Sequence, residues 1–128
     1  MFYLFLSMMM VHQAASSRGC CSTMEISSNT MSISGSFKNS GVWSDKPVYW
    51  SQTHNLFLYF LPMRVGGLWT IGPHIGELGL LGHLGLEDCP QDLESSAWKY
   101  RVGTSWFLDQ DIKMDCLDQQ KVHHDFHF

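Results

Sequence analysis

Two adjacent cysteines set the tightest limit on what this 128-residue chain can fold into. Cys20 and Cys21 stand near the start, Cys89 in the second half and Cys116 close to the end. Neighbouring residues hold their Cα atoms ~3.8 Å apart, whereas a disulfide prefers ~4.4–6.8 Å, so Cys20 and Cys21 are poor partners for each other. Any oxidised frame therefore ties the beginning of the domain to its middle and to its end. Two pairings satisfy this, and Cys21–Cys116 with Cys20–Cys89 is the preferred one. Closing a loop of about 95 residues constrains the unfolded chain by roughly 4–5 kcal/mol in the loop-entropy account. A zinc site is a poor alternative, because the chain has no C-x-x-C spacing.

Compartment decides whether such cysteines oxidise. Residues 1–17 read MFYLFLSMMMVHQAASS. Phe2 to Val11 is apolar apart from Ser7, and the small residues Ala14, Ala15, Ser16 and Ser17 follow. An apolar core followed by a small-x-small site is the pattern of a secretory signal peptide. Cleavage is expected after Ser16 or Ser17, just before the first charged side chain, Arg18. The run is too short to stop in a membrane, and no second long apolar run follows it. The expectation is a secreted, extracellular protein with no membrane span. Its parts are a signal peptide over 1–17, a β-module over 21–116 and a flexible His-rich tail over 117–128.

Between residues 22 and 116 the apolar residues alternate with polar ones. Met24 and Ile26, Met31 and Ile33, Trp69 and Ile71, Trp98, Tyr100 and Val102, and Ile112, Met114 and Cys116 all follow a period of two. Leu56 to Leu61 is a short apolar run ended by Pro62, as a buried strand would be. Turn signals separate these runs at Ser34-Gly35, Ser44 to Pro47, Gly66-Gly67, Gly72-Pro73, Cys89-Pro90 and Gly103-Thr104. The reading is a small all-β single domain of about six to eight short antiparallel strands, disulfide-stabilised, with little helix. Gly76, Gly79, Gly82 and Gly85 recur at every third position among leucines. This stretch reads as a Leu-bearing loop folded onto the domain, the alternative being an exposed apolar contact surface.

The order Cys21, Gly35-x-Phe37, Lys46-Pro47-Val48-Tyr49-Trp50, Leu58-Tyr59-Phe60, Trp69-Thr70-Ile71-Gly72, Cys89-Pro90, Trp98, Trp106 and Cys116 resembles a small extracellular module. Such Cys-bounded, Trp- and Tyr-rich β-modules occur in secreted and multidomain proteins of invertebrates and algae. The resemblance implies a compact β-fold and an extracellular binding or structural role. It carries no active site onto any position, and the Gly-Leu stretch departs from the more polar loop expected there. Large aromatics favour strands and fill cores. Phe37, Tyr49, Tyr59, Trp69, Trp98 and Trp106 are accordingly expected to cluster in the core. Five tryptophans are generous for this size, and Trp43 and Trp106, each beside turn residues, are the candidates for exposed ligand-binding aromatics.

Charge and motif exclude several function classes. Eight basic against 12 acidic residues leave a net charge of −4, the wrong sign for a nucleic-acid binder. Asp45, Ser51 and His54 contain the residue types of a hydrolase triad but no G-x-S-x-G elbow. Asp109, Asp111 and Asp115 are spaced unlike a calcium loop, with Lys113 and Met114 where oxygen ligands and Gly belong. His123, His124, Asp125 and His127 offer imidazole and carboxylate to Zn²⁺ or Cu²⁺ as a weak metal set in the tail. No cofactor is expected, and no enzyme. The expected function is a secreted non-enzymatic extracellular module with a protein- or glycan-binding or structural matrix role. The alternative is a secreted effector, a defence or venom-like protein acting on a target surface. Expression in a secreting cell should deliver the protein to the medium with its N-terminus at Ser17 or Arg18, read by N-terminal sequencing.

Overall fold

The computed structural model describes residues 19–117. The expected signal peptide and the tail's His123, His124, Asp125 and His127 lie outside the described residues. Nine strands form one antiparallel sheet: β1 Thr23–Ser27, β2 Gly35–Trp43, β3 Lys46–Ser51, β4 Leu56–Pro62, β5 Gly67–Gly72, β6 Leu81–Leu84, β7 Lys99–Val102, β8 Ser105–Leu108 and β9 Lys113–Cys116. Among the described residues two short 3₁₀ turns, Pro90–Asp92 and Ser95–Ala97, interrupt the β structure. The fold is all-β, with one strand more than the upper end of the expected range.

From β1 to β8 each strand pairs with the next, while β9 returns to pair with β1. The sheet order is β8-β7-β6-β5-β4-β3-β2-β1-β9, so β8 and β9 form opposite edges. Only residues 109–112 separate them in sequence. Five Cα steps reach roughly 18 Å at most, so the sheet has to curl until its edges approach. The Ser28 hydroxyl donates to Asp109 Oδ2 at 2.7 Å inside this closure, and Asp109 Oδ1 accepts the Asp111 N–H. Asp109 is fully buried.

Curling gives the sheet an inner and an outer face. Cross-strand register carries Met24, Phe37, Tyr49, Leu58, Ile71 and Leu81 onto the inner face, where all are buried in one core. Trp69 and Trp98 complete it. Two of the expected core aromatics are placed differently. Tyr59 pairs with Thr70 on the outer face, buried beneath residues 73–80, and Trp106 lies half-buried on that same face. Burial of Tyr59 thus comes from a loop laid over the sheet. The Gly-Leu stretch also differs from a plain loop. Its second half is β6, paired with β5 and β7, and its first half packs down on the outer face. Glycine is required at Gly79, where an added Cβ would lie 2.3 Å from the Ile71 carbonyl oxygen.

Residues 85–98 plug one end of the curl. Leu93 enters the core, Trp69 Nε1 donates to the Glu87 carbonyl at 3.0 Å, and His83 Nε2 meets the Glu94 carbonyl at 2.8 Å. Cys89 in this segment is bonded to Cys20, and Cys21 to Cys116. Cys21 and Cys116 lie in the core beside Met24, and the Tyr49 hydroxyl donates to the Cys21 carbonyl at 2.6 Å. Replacing Cys21 and Cys116 together by Ala should lower stability by about 2–5 kcal/mol, read as a shifted denaturant midpoint with the β signature retained.

Candidate functional site

Beyond the core, register places a second apolar surface on the outer face. Leu68 of β5 opposes Leu84 of β6, Gly82 of β6 opposes Lys99 of β7, and Arg101 of β7 opposes Trp106 of β8. Alternation along each strand puts these side chains on one face. All of these but Arg101 line a groove of about 400 Å³, with Met63 at one wall, Leu78 and Ala97 at others, and Gly82 at the floor.

Glycine at the floor leaves room for the side chains above it. A Cβ on Gly82 would stand 2.8 Å from Leu68 Cδ1 and 3.4 Å from two atoms of the Trp106 indole. The absent side chain lets the indole lie over the strand backbone and opens the space beside it. Arg101 fixes the next layer. Its Nε donates to the Gly79 carbonyl at 3.1 Å, and its guanidinium carbon stands 5.9 Å from the Trp106 ring centroid. Residues 73–80 are thereby clamped to the strand pair that carries the indole.

The groove is open and apolar. Leu84 is 72% exposed and Met63 50% exposed, far more than core packing would leave. Among the described lining residues Lys99 alone carries a charge. Trp106, one of the two aromatics singled out from sequence, therefore forms a wall of this groove. Trp43 does not. Its ring meets Tyr59 edge-on at 6.1 Å between centroids, and its Cζ2 would lie 3.6 Å from a Cβ on Gly76. It helps hold residues 73–80 against the sheet. The sequence reading missed Met63, Leu68, Ala97 and Lys99, whereas Leu78, Gly82 and Leu84 belong to the Gly-Leu stretch, for which an exposed apolar contact surface is the alternative reading.

The other candidate constellations do not assemble. The Ser51 hydroxyl accepts the backbone N–H of His54, while the His54 ring meets the Ser34 carbonyl at 2.9 Å. Asp109 is spent on Ser28 and its own turn, whereas Asp115 points outward from β9. Among the described residues no three His, Cys, Asp or Glu side chains gather to hold a metal ion, and no helix is long and apolar enough to cross a membrane. Comparison with known protein families, curated proteins and solved structures gave no match to this chain.

Tyr59 anchors the loop beside the groove by donating its hydroxyl to the carbonyls of His74 and Glu77. Burial pushes its phenol above the ordinary value of 10.0, with the nearby Glu77 charge acting in the same direction. The neutral phenol is thus favoured by the fold. That stability is complete below pH 10 and is lost as pH rises through the raised folded pKa, because the unfolded phenol ionises first. Denaturation midpoints should fall on raising pH through this window, and Tyr59→Phe should remove Tyr59's share of the fall.

Proposed function

We propose that this chain is a secreted, non-catalytic binding module that receives an apolar side chain of an extracellular protein in the groove over Gly82. The apolar lining of that groove carries the reading. A site of about 400 Å³ lies in the ordinary range for ligand pockets, which combine apolar walls with a few polar groups. Here the walls are Met63, Leu68, Leu78, Leu84 and Trp106, and the polar complement is Lys99.

The same lining favours a protein partner over a glycan. A sugar ring stacked on Trp106 would press its hydroxyls against Leu68, Leu84 and Met63. Burying each hydroxyl without a hydrogen-bond partner costs roughly 1–3 kcal/mol, and one lysine serves only part of a ring. A Leu, Met or Phe side chain meets no such cost. The two disulfides support the extracellular part of the reading, since such bridges persist where the medium is oxidising.

The experiment is a fluorescence titration of the full chain. Short peptides carrying one Leu or Phe should shift the tryptophan emission saturably, and soluble oligosaccharides should not. Leu84→Asp, on an exposed position, should weaken the peptide response at least about tenfold, an energy of roughly 1.4 kcal/mol, while leaving the fold intact. A saturable response to oligosaccharides with none to the peptides would overturn the reading.

A further inference from the structure

We propose that β8 is a docking edge for a second copy of this chain, paired strand to strand about a twofold axis through Phe107. The two edges of the sheet differ in a way that matters here. Exposed edge strands invite pairing, and proteins guard them with charges, proline or bulges. β9 carries the exposed, outward-pointing Lys113 and Asp115. β8 reads Ser105-Trp106-Phe107-Leu108, without charge or proline, and its described pairing is with β7 alone.

Exposure shows that the edge is open on both faces. Phe107 shares the inner face with Tyr100, their ring centroids 5.6 Å apart, yet it is 47% exposed. Leu108 on the outer face is also 47% exposed. Among the described residues no strand pairs with β8 across the gap to cover this phenylalanine.

The backbone register then fixes how a second copy pairs. β7 and β8 oppose Val102 to Ser105 and Tyr100 to Phe107, and the Asp109 N–H donates to the Trp98 carbonyl at 2.8 Å. In an antiparallel ladder the bonded pairs alternate, so Ser105, Phe107 and Asp109 turn their backbone groups toward β7. Trp106 and Leu108 turn theirs to the open edge. A twofold axis at Phe107 places Trp106 of each copy opposite Leu108 of the other. Each of those pairs exchanges two N–H···O bonds, and Phe107 faces its own counterpart in the intervening non-bonded pair. On the outer face Leu108 of each copy then lies beside the edge-facing base of the other's Trp106, whose indole leans over Gly82, and the two Phe107 rings meet on the inner face. Charge does not oppose the pairing, because β8 has none.

Sedimentation of the full chain from about 1 to about 100 μM should show the mass rise from one chain to two, as mass action requires. Phe107→Lys should remain a monomer over that range with an unchanged circular dichroism spectrum, and Leu84→Asp should still dimerise, separating this edge from the groove. The non-bonded register also brings the two Phe107 Cα atoms to ~4.5 Å, within disulfide range. Phe107→Cys should therefore give a covalent dimer that a reductant splits, and Leu84→Cys should not. A wild-type chain that stays monomeric throughout, a folded Phe107→Lys variant that dimerises as well as wild type, or cross-linking from Leu84→Cys rather than Phe107→Cys would overturn the proposal.

Discussion

A short link between the two edges of one sheet governs this structure. β8 and β9 are separated by residues 109–112 alone, yet seven other strands stand between them in the sheet. A flat sheet of that width is excluded, since nine strands at ~4.8 Å spacing would set the edges roughly 38 Å apart. Curling is therefore compulsory, and it creates the enclosed inner face on which Trp69, Trp98, Tyr49 and Phe37 are buried. Asp109 shows the constraint locally. A buried carboxylate is costly unless its oxygens are satisfied, and Ser28 and the Asp111 N–H satisfy them where the link turns.

The disulfides reinforce that closure without duplicating it. Cys21–Cys116 fastens the start of the β1 segment to the end of β9, strands that already pair through Met24 and Cys116. Cys20–Cys89 acts across the curl, fixing the segment that plugs one end. Adjacent cysteines can hold such distant partners because consecutive side chains in an extended segment point in opposite directions. Cys21 turns into the core and Cys20 remains partly exposed.

Much of this architecture is legible in the sequence, for a physical reason. Strands such as Thr23–Ser27 and Lys113–Cys116 have one face in the core and one in water, so their apolar residues recur with period two. β6 was hidden because it breaks that rule. In Leu81-Gly82-His83-Leu84 the inward residues are Leu81 and His83, while Gly82 and an exposed Leu84 face outward. The inner histidine sets Nδ1 against the adjacent Leu84 carbonyl and Nε2 against the Glu94 carbonyl, and only the tertiary fold supplies the second. Tyr59 was misplaced for a related reason. It reads as one more apolar residue in a buried run, and its face depends on residues 73–80 covering the outside of the sheet. The groove was legible in Trp106 and, as an alternative reading, in the leucines of the Gly-Leu stretch. Its other walls lie between positions 63 and 99, and strand register rather than spacing along the chain brings them together.

The groove's walls also differ in how firmly they are held. Leu68 and Gly82 belong to β5 and β6, each paired on both sides, and Leu78 is braced through the Arg101 bonds to residues 78 and 79. Trp106 stands on β8, which among the described residues pairs with β7 alone. An edge strand opens at lower free-energy cost than a strand flanked on both sides, because fewer backbone bonds break and less apolar surface is lost. A group entering the groove therefore meets a fixed floor and one compliant aromatic wall. Binding that orders this wall costs entropy, and anything that first pairs the free edge of β8 removes part of that cost. Trp106 is common to the edge and the groove, its backbone belonging to one and its indole to the other.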